Sequence, residues 1–167
     1  LKLVIHIPAR RLEPTFVLMF ALLPSKMILF LTPEVKLDFF NEFRRFVKWF
    51  GRNYSKFRLP EIMIYNIESP ESKIFEKFNL KYYSNFLWKI INENIKSRHR
   101  ENKILFDLSG GTKLHSIILY NFALKNRFPF SYLYTREIRG EKGIFAIPGE
   151  EKFFIKLPES QAINLLS

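Results

Sequence analysis

The chain contains no cysteine and only six glycines among its 167 residues. The lack of thiols excludes disulfide bonds and thiolate metal sites. The three histidines, His6, His99 and His115, do not have the spacing of metal ligands. We therefore expect a cytoplasmic protein that uses neither a metal ion nor another cofactor.

A long hydrophobic run is missing as well. The most apolar stretch, residues 16–32, is interrupted by Pro24, Ser25 and Lys26. The two remaining runs are far shorter than the roughly 20 residues that a membrane-spanning helix needs. The sequence therefore predicts no transmembrane segment.

Positive charge and aromatic side chains, in contrast, are abundant. Lys and Arg total 27 against 16 Asp and Glu, a formal net charge of +11, and the chain contains 19 Phe. The apolar content suffices for one continuous core but not for two ordinary domains. The charge favours a polyanionic partner such as a nucleotide or a nucleic acid, although a basic surface also serves solubility.

Apolar runs with the length of buried strands alternate with stretches of helical spacing. Four such runs lie at residues 3–7, 27–31, 62–67 and 104–108. Because their hydrophobicity is continuous rather than alternating, they indicate a parallel sheet that is covered on both faces. The pattern predicts a Rossmann-like α/β fold, with a mainly parallel sheet of about six strands and helices on both faces.

The C-terminal part is expected to complete the sheet with antiparallel strands. Residues 130–137 and 144–147 flank a turn that contains two glycines, which indicates an antiparallel hairpin. Residues 153–155 have the composition of a further short strand. The predicted organisation is one nucleotide-binding domain over residues 1–150 and a tail over residues 151–167 that packs on this domain or extends it.

Two segments predict helix starts, because each combines a hydroxyl cap, a first-turn proline and an acidic residue: Thr32-Pro33-Glu34 and Ser69-Pro70-Glu71. The helices that follow carry large apolar side chains at steps of three and four residues. We expect these side chains to form core rather than a base-stacking platform. They are Leu37, Phe40, Phe43, Phe46, Val47 and Phe50, and then Phe75, Phe78, Tyr82, Phe86 and Ile90.

The strongest functional signal is the turn Ser109-Gly110-Gly111-Thr112-Lys113, which joins the fourth apolar run to a helical pattern. Adjacent glycines let backbone N–H groups approach an anion, and the N-terminus of a helix carries partial positive charge. Ser109, Thr112 and Lys113 add two hydroxyls and a cation. The spacing is neither that of a Walker A loop nor that of the dinucleotide-binding glycine motif. The alternative is a plain strand-to-helix turn with Thr112 as its cap.

Other predicted strands end at the same edge of the sheet, where open α/β folds bind their ligands. Arg10 and Arg11 follow the first strand, and Thr32 follows the second. These three are candidate ligand-binding residues, since arginine pairs well with phosphate. The alternative for the two arginines is a solvated basic loop. Asp107 would repel a phosphate, so we expect it to hold the turn instead.

The segment from Asp107 to Lys113 resembles the D-x-S/T-G-G-T-K signature of the CRISPR-associated Rossmann fold (CARF) domains. The order of predicted elements is similar over nearly the whole chain. The resemblance implies a homodimer whose two clefts face each other and bind one cyclic oligoadenylate, commonly the four-adenosine ring, in type III CRISPR antiviral signalling. It also implies ligand contacts from Ser109, Gly110, Gly111, Thr112 and Lys113.

CARF domains usually carry an effector domain behind them, and we expect none within these 167 residues. One interpretation is a stand-alone, metal-independent ring nuclease, in which a ribose 2′-OH attacks the neighbouring phosphate and Lys113 and Ser109 are the catalytic residues. The other is a non-catalytic sensor whose effector domain is missing from the chain. His6 and His115 fall inside predicted elements, so we expect them to be packed rather than to act as general bases. A general nucleic-acid binder is a weaker third alternative, because the aromatic side chains have core spacing.

Overall fold

A computed structural model describes residues 3–8, 13–54, 58–67, 80–95, 103–134, 137–140, 143–146 and 152–157. Its elements in chain order are β1 (Leu3–His6), α1 (Glu13–Leu22), β2 (Lys26–Leu31), α2 (Pro33–Asn53), β3 (Glu61–Asn66), α3 (Leu80–Asn94), β4 (Ile104–Asp107), α4 (Lys113–Lys125), β5 (Phe130–Tyr134), β6 (Glu137–Gly140), β7 (Gly143–Ala146) and β8 (Lys152–Lys156). None of the described helices is both long enough and apolar enough to cross a membrane.

Six strands form the main sheet in the order β3-β2-β1-β4-β5-β8. The first five are parallel to one another, and β8 pairs antiparallel with β5. The chain therefore moves outward from β1 to β3 and then returns to place β4 on the other side of β1. This reversal between β1 and β4 creates a crevice at the carboxyl ends of the strands, the position where such sheets bind ligands.

Both faces of the central strands β1, β2 and β4 are buried, which accounts for their continuous hydrophobicity. Alternate residues of a strand point to opposite faces. On one face, Ile5 and Phe106 pack in a cluster with residues of α3 and α4. On the other face, Val4 and Leu105 pack with residues of α1 and α2. The predicted fold class, a mainly parallel sheet covered on both sides, is confirmed.

The aromatic residues of α2 pack mainly against α1. The Phe16 and Phe46 rings stack with their centroids 3.8 Å apart, and Phe20 lies 5.2 Å from Phe50. The prediction that the periodic aromatics belong to the core is confirmed in this helix for Phe50, which is buried, and for Phe40 and Phe43, which pack against the core. It is wrong for Tyr82, which is 59% exposed. Phe75 and Phe78, and the helix start predicted at residues 69–71, lie outside the described residues.

The C-terminal hairpin is present, but its first strand differs from the prediction. β6 and β7 pair with each other in a separate two-stranded sheet. Residues 130–134, predicted as part of this hairpin, form β5 instead and lie between β4 and β8 in the main sheet. The reason is burial: Ser131 and Leu133 are buried, so β5 gains more from the large core than from a two-stranded ribbon. The short strand predicted at residues 153–155 is confirmed as part of β8.

Candidate functional site

The glycine turn, residues 109–112, joins β4 to α4 and lies against the end of β1. A Cβ atom added to Gly110 would lie 2.0 Å from the carbonyl oxygen of Ile7, so only glycine allows the two backbones to meet this closely. Gly111 has a φ of +72°, in the left-handed region that favours glycine. Both glycines are therefore required by the approach of the turn to β1, and this approach places the turn in the crevice between β1 and β4.

Thr112 and His115 fix the start of α4. The Thr112 Oγ1 accepts a hydrogen bond from the His115 backbone N–H at 3.4 Å, and the His115 Nδ1 accepts one from the Thr112 N–H at 3.2 Å. This is a capping box in which histidine takes the place usually held by Glu or Gln. His115 is buried, which confirms that it is packed.

The outer surface of the turn is suited to an anion. Gly111, Thr112 and Lys113 are all exposed. Within the described part of the chain, no acceptor pairs with the N–H groups of Gly111, Lys113 or Leu114, or with the Lys113 ammonium. Unpaired N–H groups and the positive end of the helix dipole coincide there with a full positive charge. This combination is typical of phosphate-binding helix N-termini.

Beneath the turn, the carboxylate of Asp107 accepts four hydrogen bonds. Its Oδ2 accepts from the Nδ1 of His6 at 2.7 Å and from the Ser109 N–H at 3.1 Å. Its Oδ1 accepts from the hydroxyls of Ser109 at 2.6 Å and Ser131 at 3.0 Å. Asp107 thus connects β1, β5 and the turn, as predicted for a residue that holds the turn in place.

The Nε2 atom of His6 lies 2.9 Å from the hydroxyl oxygen of Thr15. Thr15, His6 and Asp107 therefore follow the order hydroxyl, imidazole and carboxylate that hydrolases use for nucleophilic catalysis. All three side chains are buried, with residue exposures of 0%, 0% and 1%. Because no substrate can reach the hydroxyl in this arrangement, the network is structural, and the prediction that His6 is packed is confirmed.

Ser109 is held from two directions. Its hydroxyl donates to Asp107 and accepts from the Leu133 backbone N–H at 2.6 Å. The hydroxyl proton is therefore used within the protein, and the side chain ties the turn to β5. This geometry assigns Ser109 a positioning role, while its predicted contact with a ligand stays a prediction.

Thr32 lies at the carboxyl end of β2 and occupies the N-cap position of α2, but its side chain makes no capping hydrogen bond. It is only 7% exposed. Arg10 and Arg11 lie outside the described residues. The sequence did not reveal Thr15 or Ser131, since their partners are brought close only by the pairing of distant strands.

Behind the turn lies an apolar cavity of about 20 Å³. This is room for about one water molecule. A nucleobase does not fit this space, so a nucleotide at the turn would lie on its exposed side. Among the described residues, no group of three His, Asp or Glu side chains is arranged to hold a metal ion. The cavity is lined by Ile7, Phe30, Ile67, Tyr83, Phe86, Leu87, His115, Ile118 and Leu119.

No family model and no curated protein sequence matches the chain. Comparison of the fold with solved structures finds Can2 from Sulfobacillus thermosulfidooxidans, solved in complex with cyclic tetra-adenylate (cA4). The TM-score is 0.54 at 14% sequence identity. The similarity covers 95% of this chain and 37% of the Can2 chain, so this chain corresponds to little more than a third of that protein. At this identity the similarity shows a common fold.

Proposed function

We propose that the chain binds a cyclic oligoadenylate, with the four-adenosine ring as the preferred ligand, at the glycine turn. The observation that carries the proposal is the exposed N-terminus of α4, where Lys113 and unpaired backbone N–H groups meet in the crevice between β1 and β4. The similarity of the turn to the CARF signature and of the fold to Can2, solved with cA4, supports this ligand over other phosphate compounds.

The residues of the turn have different tasks in this proposal. Each phosphodiester of the ring carries one negative charge, which Lys113 neutralises while the N–H of Gly111 donates a hydrogen bond. A further contact is proposed for the exposed Thr112. Gly110 and Ser109 hold the turn in the required position. Further ligand contacts are proposed for Arg10, Arg11 and Thr32, because they follow β1 and β2 in the sequence and ligands of open α/β folds bind where parallel strands end.

Replacing Lys113 with alanine is expected to weaken cA4 binding by about 2 kcal/mol, because a charge-assisted hydrogen bond is lost. Isothermal titration calorimetry measures the effect. Lys125→Ala is the matched control, since Lys125 is an exposed lysine at the other end of the same helix. Equal affinities for wild type and a folded Lys113→Ala variant would mean that the turn only starts the helix.

A two-fold homodimer is part of the proposal, and α4 offers a surface for it. Ile117, Tyr120 and Leu124 recur at steps of three and four residues on the outer side of α4, and all three are exposed. The stripe begins one turn after Lys113. A partner copy docked on it would bring a second glycine turn near the first, so that one ring could contact both.

The exposed apolar surface continues from α4 onto the sheet. Tyr120 packs edge-on against Phe130, with ring centroids 5.1 Å apart. Tyr132 lies two residues along β5 on the same face, directly opposite Phe154 of β8, and both are exposed. Contiguous exposed apolar surface of this kind is typical of interfaces between proteins. We define Ile117, Tyr120, Leu124, Tyr132 and Phe154 as the α4–β8 patch.

Light scattering coupled to size-exclusion chromatography tests the dimer. Wild type is expected to be dimeric, and Leu124→Glu is expected to be monomeric, because a buried unpaired carboxylate opposes association. Leu23→Glu is the matched control, since Leu23 is an equally exposed leucine outside the α4–β8 patch. A monomeric wild type, or dissociation of both variants alike, would contradict the assignment of this surface.

Cleavage of the bound ring is the second part of the proposal. His6 and His115 are buried, so neither is proposed as the base, and the ligand's own 2′-hydroxyl is proposed as the nucleophile. The 2′-oxygen attacks the adjacent phosphorus, the bond to the 5′-oxygen breaks, and the proton lost from the 2′-oxygen ends on the 5′-oxygen. The product is a linear chain with a 2′,3′-cyclic phosphate. Catalysis of this type depends on in-line positioning and on stabilisation of the phosphorane charge by Lys113.

Incubation with cA4 in EDTA, followed by chromatography, tests cleavage. Linear product is expected over minutes, and Lys113→Ala and Ser109→Ala are expected to lower the single-turnover rate at least about tenfold, or about 1.4 kcal/mol of barrier. Intact cA4 after prolonged incubation with saturating wild type would leave the non-catalytic sensor as the function.

A further inference from the structure

The C-terminal half of α2 presents basic and aromatic side chains to solvent. Trp49 is 53% exposed and Tyr54 52% exposed. Arg45, Lys48 and Arg52 are exposed beside them. We call these five residues the basic–aromatic face. Neither the hydrophobic core nor the proposed cyclic oligoadenylate site uses it.

The two exposed rings are held in place by their neighbours. Trp49 and Tyr54 meet edge-on with centroids 5.7 Å apart, and Tyr54 stacks on Phe50 at 4.9 Å. Phe50 is buried and packs towards Phe20 of α1. The two rings are therefore held in place by their neighbours, while about half of the surface of each side chain remains exposed. Because the rings are already ordered, a planar group can stack on them at a lower entropic cost.

The cations flank the rings at helical spacing. Arg45, Trp49 and Arg52 occupy positions i, i+4 and i+7, which share one side of a helix. Arg45 and Arg52 are separated by about 10 Å along the axis, so they can contact different phosphates of one strand. Residues 43–54 contain four cations and no acidic residue, so the local charge is strongly positive.

We propose that the basic–aromatic face binds single-stranded nucleic acid. Bases stack on Trp49 and Tyr54, and Arg45, Lys48 and Arg52 contact the phosphates, the combination by which such strands are bound without sequence preference. A membrane surface fits less well, because the apolar side of α2 is occupied by α1 and the sheet and only two rings remain to enter a bilayer.

This surface is separate from the glycine turn. α2 begins at the carboxyl end of β2 and runs towards the opposite edge of the sheet, so its C-terminal half lies far from the crevice. α2 and α4 also cover opposite faces of the sheet. The inference therefore does not depend on the proposed cyclic oligoadenylate site.

Fluorescence anisotropy with a fluorescein-labelled oligouridylate tests the proposal. Arg45→Gln/Arg52→Gln is expected to weaken binding about tenfold or more and to reduce the slope of log K against log salt by about 1.4, or 0.7 per lost phosphate contact. Lys81→Gln/Lys89→Gln removes the same charge from exposed positions of α3 and is expected to leave the affinity nearly unchanged. Equal losses of affinity in the two variants would mean that binding depends only on the net charge of the protein, and this would overturn the proposal.

Tryptophan emission distinguishes stacking of bases on Trp49 from nonspecific electrostatic attraction of the strand to the protein. The chain contains two tryptophans, and Trp88 is partly buried against Phe122 and Phe128. Unlabelled oligouridylate is expected to quench the emission of Trp88→Phe, in which Trp49 remains, and not that of Trp49→Phe. An excess of cA4 is expected not to reverse the quenching. Binding to phosphatidylserine vesicles without binding to oligouridylate, or unchanged Trp49 emission, would refute the inference.

Discussion

Asp107→Ala is expected to lower the free energy of unfolding by about 3–5 kcal/mol, the usual cost of breaking a buried charged network. The Asp107 carboxylate accepts hydrogen bonds from His6, from the Ser109 backbone and hydroxyl, and from Ser131. In the alanine variant these donors lose their acceptor in a region with almost no access to water. The loss affects β1, β4 and β5 together, so the centre of the sheet is weakened as well as the turn.

Urea unfolding followed by circular dichroism measures this change. Asp107→Asn is expected to be intermediate, since its amide oxygen keeps part of the accepting role while its NH₂ group faces donors. Glu42→Ala, at an exposed position of α2, is the control and is expected to have little effect. A loss below about 1 kcal/mol in Asp107→Ala would show that the network contributes little to stability.

Gly110→Ala is expected to weaken cA4 binding by about 2–3 kcal/mol, the value of one or two hydrogen bonds to a charged group. The added Cβ would lie 2.0 Å from the Ile7 carbonyl oxygen and 3.0 Å from the His6 ring. Since the nearest atom belongs to the backbone of another strand, the turn itself must move away from β1. That movement displaces the Gly111 N–H and Lys113 relative to the ligand, and the crowding also destabilises the fold by about 1–3 kcal/mol.

Gly51→Ala provides the matched control for this substitution. Gly51 lies in α2, and an added Cβ would meet no atom within 4 Å. We expect the Gly51→Ala variant to bind cA4 like wild type and to be more stable by up to about 1 kcal/mol, because alanine favours a helix over glycine. Calorimetry on both variants makes the comparison, and wild-type affinity in a folded Gly110→Ala protein would argue against the turn as the binding site.

The strands of the main sheet were predictable where each is marked by a continuous apolar run in the sequence. Runs such as residues 27–31 are apolar on both sides, and residues 104–108 are apolar apart from Asp107, a pattern that is typical of strands buried on both faces. The partners of β5 were not predictable in the same way. Residues 130–134 lie close in sequence to the hairpin, yet they pair with β4 and β8, and the preference for the larger core is a property of the assembled sheet.

The glycine turn was predictable because its chemistry lies within five consecutive residues. The network beneath it was not, since His6 and Asp107 are 101 positions apart and Ser131 lies 24 positions from Asp107.

The exposure of the C-terminal end of α2 has a geometric cause. α2 has 21 residues, about 31 Å, whereas β2 has six, about 20 Å, so the last turns of the helix extend beyond the strand on which they could pack.

Calorimetric titration of wild-type protein with cA4 tests whether the glycine turn binds a cyclic oligoadenylate. We expect saturable binding with one ring for two chains and an affinity that falls as salt rises, because phosphate charges are neutralised. The affinity is expected to be lower for Lys113→Ala but not for Lys125→Ala. No saturable heat with wild-type protein, or binding that Lys113→Ala and Lys125→Ala weaken equally, would contradict a cyclic oligoadenylate site at the glycine turn.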